Sequence, residues 1–339
     1  MAQTSDRSRN AQRAQPWRAL IWRDDKLVSD ARQAQVKEAL RDQKALVWLD
    51  AEGDQNSYAG ALGQLCGLSP LIVDMLGDPF ERAKLYEAGG RYYAAVHGLT
   101  FDDEAGTADT PKLDILFGPN LLITAHPQAL PWLSTVRETT LTDPRPLVGR
   151  GVAFLLHAVL DALVDSYFPV LDEIDGVIDD LEDLTVQDTS NAVQGRIFRI
   201  KRSLALMRRV ISPQVELFNS IVTRGSELIP DEARPYFADV HDHLVRSFEV
   251  LDSYRDLMSG LLDVYLTTVS NRLNVVMKQL TIYAVIFMPI TFITGIFGQN
   301  FGHSPQVEHD GGYNFWIVLA IMAAISLAHI GYFRWKRWI

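Results

Sequence analysis

The pattern of apolar and polar positions divides the chain into regimes. Over residues 17–147 short apolar runs alternate with turn signals: ALVWL at 45–49, RYYAAV at 91–96 after Gly89-Gly90, and two runs at 113–117 and 121–124 joined by Gly118-Pro119-Asn120. Such runs predict strands and hairpins mixed with helices, a cytoplasmic α/β or α+β domain. Residues 1–16 contain Arg but no apolar stretch, and read as a disordered arm rather than a signal peptide. From 148 to 234 the spacing turns helical. A stretch carrying Asp161, Asp165, Asp172, Asp175, Asp179, Asp180, Glu182 and Asp183 precedes a basic one, RIFRIKRSLALMRR at 196–209. The two are expected to run antiparallel and neutralise each other in part. Their charged faces fit two readings, a solvated helix surface or a divalent-ion reservoir near a pore mouth.

After Pro235 apolar residues recur at Phe237, Val240, Leu244, Phe248, Leu251, Tyr254, Met258, Leu261, Tyr265, Val269, Leu273, Val276 and Leu280. A mean step of about 3.6 residues predicts one amphipathic helix. It spans 235–298 as a stalk that continues into a membrane. Residues 279–297 carry no charge, and 315–333 contain only His329 as an ionisable group. Each run suffices to cross a hydrocarbon layer of ~30 Å at about 1.5 Å per residue. Two transmembrane helices are therefore expected, with an outer loop at 299–314 and a basic tail at 334–339. Arg272 and Lys278 before the first span, and Arg334, Lys336 and Arg337 after the second, place both termini in the cytoplasm. The chain then reads as a multi-pass protein of the inner (plasma) membrane. The outer loop holds Glu308 and Asp310, suited to attracting cations, beside His303 and His309. Tyr313, Trp316, Trp335 and Trp338 flank the second span as an interfacial belt.

A second stripe on the stalk helix steps by four and three: Asp263, Thr267, Ser270, Asn274, Met277, Thr281, Ala284, Met288, Thr291 and Gly295. It is polar or small. Within lipid the hydroxyls of Thr281 and Thr291 need a partner or water. Two spans cannot enclose a pore, but a symmetric ring of subunits turns each stripe residue into a ring about the axis. Helix packing through small residues accounts equally for Ala284 and Gly295, though not for the Asp263 and Asn274 end.

Charge and composition narrow the function further. Basic residues number 32 against 42 acidic ones, a net charge of −10, which argues against nucleic acid as a partner and suits cation handling. Cys66 is the sole cysteine, so the chain has neither an intrachain disulfide nor a Cys-rich zinc site. It reads as a small buried hydrophobe. No Gly-rich phosphate loop, Ser-His-Asp arrangement or HExxH motif appears, and no enzyme is expected.

The stretch 260–300, GLLDVYLTTVSNRLNVVMKQLTIYAVIFMPITFITGIFGQN, resembles the CorA family of divalent-cation transporters. The NxxMKxLT run is present as Asn274, Met277, Lys278, Leu280 and Thr281. FMPxTFxxGxxG follows as Phe287, Met288, Pro289, Thr291, Phe292, Gly295 and Gly298. The resemblance implies a homopentamer with a cytoplasmic funnel, the first span lining the pore and the second facing lipid. It implies Mg2+ as transported and regulatory ion, with Co2+ or Zn2+ as further cargo. Asn300 corresponds to the outer selectivity ring and Gly298 to its turn. Asn274, Met277, Leu280, Met288 and Thr291 correspond to pore-lining and gating positions, Asp263 to an inner acidic ring, and Asp239 to an inter-subunit carboxylate that senses cytoplasmic magnesium.

The sequence departs from that pattern at Gln299, where the family has Met, and at Ser304-Pro305-Gln306-Val307, where MPEL is frequent. The related ZntB branch, associated with zinc, tolerates other middle residues. Three readings follow: a magnesium and cobalt channel gated by cytoplasmic ion, a ZntB-like zinc transporter stimulated by a proton gradient, and a non-conducting membrane-tethered sensor or scaffold. A zinc reading draws on the imidazoles of His303 and His309, which fit solvent-exposed loop positions equally well. His241 and His243 lie two apart on a helix and face different ways, so a joint metal site is not expected of them.

Overall fold

The apolar runs of the N-terminal third form buried strands, joined by shorter ones that remain largely exposed. In order they are β1 (Trp17–Arg23), β2 (Lys26–Ser29), β3 (Leu46–Glu52), β4 (Lys84–Ala88), β5 (Arg91–His97), β6 (Thr100–Asp102), β7 (Thr107–Asp109), β8 (Lys112–Phe117) and β9 (Leu121–His126). Seven of them make one sheet in the order β2-β1-β3-β9-β8-β5-β4, and β6 pairs with β7. The β3–β9 pair is parallel, while the other pairs are antiparallel. Every residue of β8 and β9 is buried, as expected where a strand is covered on both sides. The β4–β5 hairpin turns through Gly89 and Gly90 at φ 61° and 73°, left-handed values that a two-residue hairpin turn demands and glycine adopts without strain.

The computed structural model describes residues 16–79, 81–224, 229–298 and 313–338, the side chains of 88, 223, 224 and 313–315 excepted. Gln299, Asn300, His303, Glu308, His309 and Asp310, and the expected arm before Pro16, lie outside the described residues. The chain forms two compact units, one ending at Leu262 and one beginning at Asp263.

In the first unit α1 (Gln33–Ala39), α2 (Gln55–Cys66) and α3 (Pro70–Gly77) cover one face of the sheet. Tyr58, Leu62 and Leu76 pack there with Val47, Leu49, Leu116 and Ile123. Asp54 caps α2 through Ser57 N, and Gly67 ends it at φ 63°; Ser69 caps α3, with Pro70 in the first turn. Cys66 closes this layer, and burial pushes its thiol up to about 11. There follow α4 (Pro131–Thr142), α5 (Val152–Asp165), α6 (Tyr167–Gln187) and α7 (Asn191–Arg224). An α+β domain is thus succeeded by long helices, ending in α8 (Arg234–Phe297) and α9 (Tyr313–Trp335).

The basic residues of α7 do not neutralise the acids of α6 as expected. Among the described residues their ion pairs run elsewhere, from Arg196 to Asp103 at 3.4 Å and from Arg208 to Asp252 at 2.6 Å. The reason is placement: β6–β7 and α8 present carboxylates to the charged side of α7, while its apolar side, Ile197, Ile200, Leu204, Met207 and Ile211, is buried.

Sheet and helices are tied by one buried amide. Gln214, fully buried, accepts from His97 N at 3.0 Å, lies 3.3 Å from the Tyr167 hydroxyl, and donates to Val210 O at 3.1 Å. It follows Pro213, which has no N–H to give the α7 ladder. The Tyr167 hydroxyl donates to His97 O at 2.5 Å. Nearby, Lys112 Nζ joins Asp114 at 2.9 Å and caps the end of α3 through Met75 O and Asp78 O. Burial raises the Asp114 carboxyl to about 7 despite that cation.

Length and composition also admit the 152–187 stretch as a membrane span, but half of its apolar window is buried within the chain, against 6% for those of α8 and α9. Among the described residues only α8 and α9 leave such a window largely unburied.

His97 is 8% exposed with Nδ1 unpartnered, and burial, aided by Lys112, lowers it from 6.5 to about 4. A depressed imidazole leaves stability intact above the unfolded value and removes it as pH falls toward the folded one. Acidification from pH 7.5 to 5 should therefore cost about 2 kcal/mol at this residue. The thermal midpoint of His97→Gln should show a correspondingly smaller acid shift than wild type, and an equal shift would refute the assignment.

Candidate functional site

Helix α8 changes character at the boundary between the units. Up to Tyr265 its apolar stripe is largely inside: Phe237, Val240, Leu244, Leu251, Met258, Leu261 and Tyr265 are buried. Beyond it the same stripe surfaces, with Leu273 and Leu280 each 60% exposed, because no other described segment covers it. Within the second unit Ile282 is buried and Val285, Ile286, Pro289, Ile290 and Ile293 are half-buried, while Phe333 is buried on α9.

The polar stripe lies on the remaining surface. Asp263, Thr267, Ser270, Asn274, Met277, Leu280, Thr281, Ala284, Met288, Thr291, Gly295 and Gly298 are all exposed in the single chain. The partner that the threonines need is supplied by their own helix. Thr267, Thr281 and Thr291 donate to the carbonyls of Asp263, Met277 and Phe287 at 2.8, 2.8 and 2.9 Å. With the proton spent on the helix, each hydroxyl retains only acceptor capacity. No Asp or Glu occurs from residue 264 to 298, so the stripe offers neutral oxygen and sulfur along the span, with Asp263 at one end. Gly298 ends the row; its N–H bonds Thr294 O at 2.9 Å, and a Cβ there would come within 3.1 Å of that oxygen.

A second arrangement lies in the first unit. His157, Asp161 and Asp165 follow one another at four-residue steps along α5, and Asp239 and His243 do so on α8, a spacing that stacks side chains on one helix face. The ligating atoms of Asp161, Asp165 and His243 lie within 4.8 Å of one another. His243 Nδ1 is buried without a hydrogen-bond partner and 3.9 Å from Asp165. Burial holds the Asp161 carboxyl above its ordinary range; Asp165 and Asp239 add repulsion while His157 and His243 oppose it. Burial likewise lowers His157 against the pull of Asp161 and Asp239. Such a concentration of carboxylate with one unpaired imidazole suits a divalent cation, and the imidazole suits a transition metal in particular.

Sequence reasoning missed this set. It weighed His243 against His241, which faces Asp242 at 3.5 Å, and treated Asp161 and Asp165 as part of a charge run. The signal was the two ladders at four-residue spacing; their juxtaposition is tertiary.

With both arrangements in view, the comparisons with known proteins are decisive. The model of the CorA-like Mg2+ transporter protein family matches residues 43–337. The chain belongs to this family. A cobalt/magnesium transport protein CorA from Thermotoga maritima is 32% identical over 300 residues, covering 88% of this chain and 85% of its own. A zinc transport protein ZntB from Yersinia pseudotuberculosis is 21% identical over 261 residues, covering 77% and 79%. The solved CorA magnesium transporter from Methanocaldococcus jannaschii has the same fold, with a TM-score of 0.79 at 22% identity over 95% of this chain and 98% of that one. As a CorA-family member the chain is a membrane transporter of divalent cations and not an enzyme.

If Asp161, Asp165 and His243 hold an ion, Asp165→Asn or His243→Ala should weaken Co2+ binding to the purified protein tenfold or more, as read by isothermal titration. Wild-type affinity in both variants would exclude the cluster.

Proposed function

We propose that this CorA-family chain assembles as a homopentamer in the inner membrane, both termini cytoplasmic, and conducts Mg2+, with Co2+ as a further substrate, inward through a pore lined by α8. The observation that carries the reading is the row from Asp263 to Gly298 on α8, exposed in the single chain and free of carboxylate beyond its first member. Around a symmetry axis each residue of that row becomes a ring. The apolar stripe that surfaces after Tyr265, including Leu273 and Val276, gives neighbouring copies something to bury.

The chemistry then runs along the row. Mg2+ sheds water reluctantly, so a ring of neutral amide oxygens at Asn300, on the GQN turn that Gly298 opens, accepts hydrogen bonds from its hydration shell without trapping it. Glu308 and Asp310 raise the local cation concentration outside. Thr291, its proton spent on the helix, offers lone pairs to the same shell, with Thr281 at the edge of the row. Met277, Leu280 and Met288 form constrictions that close by dewetting. Asn274, Ser270, Thr267 and Asp263 receive the ion at the inner end, and Ala284 leaves room between. A potential of 100 mV supplies about 2.3 kcal/mol per charge, hence roughly 4.6 for a divalent ion; no nucleotide is required.

Gating is read from the cytoplasmic cluster. Ion held by Asp161, Asp165 and His243, with Asp239 one turn away on α8, stabilises the closed ring, and its loss frees the subunits. The imidazole in that cluster also supports a second reading, ZntB-like zinc transport stimulated by a proton gradient, in which Gln299 contributes to ion choice. A non-conducting sensor or scaffold is separated from both by flux.

Proteoliposomes loaded with a magnesium- or zinc-sensitive dye test the reading with and without a proton gradient. The expected outcome is magnesium flux that needs no gradient, abolished in Asn300→Ala with the oligomer intact; full transport by that variant would sink the selectivity role, and zinc-selective, proton-stimulated flux would establish the second reading. In the same vesicles Asp239→Ala should conduct at internal magnesium concentrations that close the wild type. Unchanged inhibition would remove Asp239 from the sensor.

A further inference from the structure

At the edge of the polar row, from which it takes Thr281, α8 and α9 leave between them a cleft of about 470 Å³, walled by Thr281 and Val285 on one side and by Ala328, Tyr332, Phe333 and Trp338 on the other. The lining is apolar except at Thr281, whose hydroxyl is spent on Met277 O, and at His329, whose Nδ1 lies 2.8 Å from Ile325 O. One wall is built by the end of α9. Arg337 N donates to Arg334 O at 3.1 Å and Trp338 N to Phe333 O at 2.9 Å, the paired bonds that close a helix around a left-handed residue. That residue is Arg337 at φ 55°, a place usually taken by glycine because a Cβ is disfavoured there. Trp338 is thereby folded back to stack on Phe333, with centroids 5.7 Å apart and planes at 14°.

The same tryptophan lies 5.9 Å from the ammonium of Lys278. Lys278 therefore stands at the Trp338 end of the cleft, and Arg337 immediately precedes that tryptophan in a segment that also carries Arg334 and Lys336. No Asp or Glu lies among the described residues from 264 to 338 to offset them. An apolar slot with uncompensated cations at its mouth is complementary to a molecule with a long apolar chain and an anionic head. We propose that the cleft holds an acyl chain of an anionic phospholipid of the cytoplasmic leaflet, its phosphate resting on Lys278 and Arg337. This rests on the membrane orientation proposed above. The left-handed turn at Arg337 is then the device that sets the wall and the cation together.

The test uses the full-length oligomer, delipidated and titrated with dioleoylphosphatidylglycerol or dioleoylphosphatidylcholine, and read by native mass spectrometry. The wild type should retain phosphatidylglycerol in preference. Lys278→Gln combined with Arg337→Gln should weaken that lipid roughly 25-fold, at about fivefold per cation, and leave phosphatidylcholine unchanged. Ala328→Trp, at an exposed wall position, should abolish retention of both with the oligomer mass intact. Equal binding of the two lipids by wild type, a preference that survives the double variant, or retention by Ala328→Trp would each overturn the proposal. So would a photoreactive side chain at 328 that crosslinks to a second copy of the chain instead of lipid. Orientation is checked separately by Arg334→Cys: labelling by an impermeant maleimide from outside the cell would overturn the leaflet assigned here, whereas the titration alone decides whether the cleft takes lipid.

Discussion

Hydrocarbon offers no hydrogen bonds, and this constraint shapes α8. A backbone that enters it must satisfy itself, which a helix does and an irregular segment does not. One unbroken helix of 64 residues meets the requirement while passing from a protein interior to a membrane. Its apolar stripe is closed by protein up to Tyr265 and left open beyond. The polar row obeys the same rule at the level of side chains, since its threonines donate to their own helix. What they leave outward is acceptor oxygen, the polarity a hydrated cation can use.

The first unit shows the complementary economy. There buried polar groups act as ties, with Gln214 holding β5 to α6 and α7, and Lys112 with Asp114 holding the end of α3 to the sheet. Burying an unpaired polar group is expensive, so these nodes make the relation of sheet to helices single-valued. The cluster on α5 and α8 contrasts with them. Asp161, Asp165 and His243 are brought close without satisfying one another, and the repulsion is left for a cation to relieve. Asp239 and His243 stand on the same helix as Asn274 and Met277, so the proposed ion site and the proposed pore share one structural element.

Much of this was legible along the chain. Two uncharged runs of span length, the heptad row from Asp263 to Gly295, and the hairpins marked by Gly89-Gly90 and Gly118-Pro119-Asn120 are local patterns whose period fixes which face or turn they form. The stretch from 260 to 300 also carried the family resemblance by itself. All of these depend on spacing within one segment, and spacing is what a sequence states directly.

Tertiary structure decided what depends on the meeting of distant segments. The bases of α7 pair with Asp103 and Asp252 rather than with the acids of α6, because ion pairs follow the placement of β6–β7 and α8. His243 finds its partners on α5, roughly eighty residues earlier in the chain, not in neighbouring His241. The 152–187 stretch is apolar enough for lipid, but protein buries half of its apolar window. Trp338 folds back through a left-handed arginine that no propensity would have placed there. In each case the sequence determined the side chain and its local spacing, while packing between elements determined what that side chain faces.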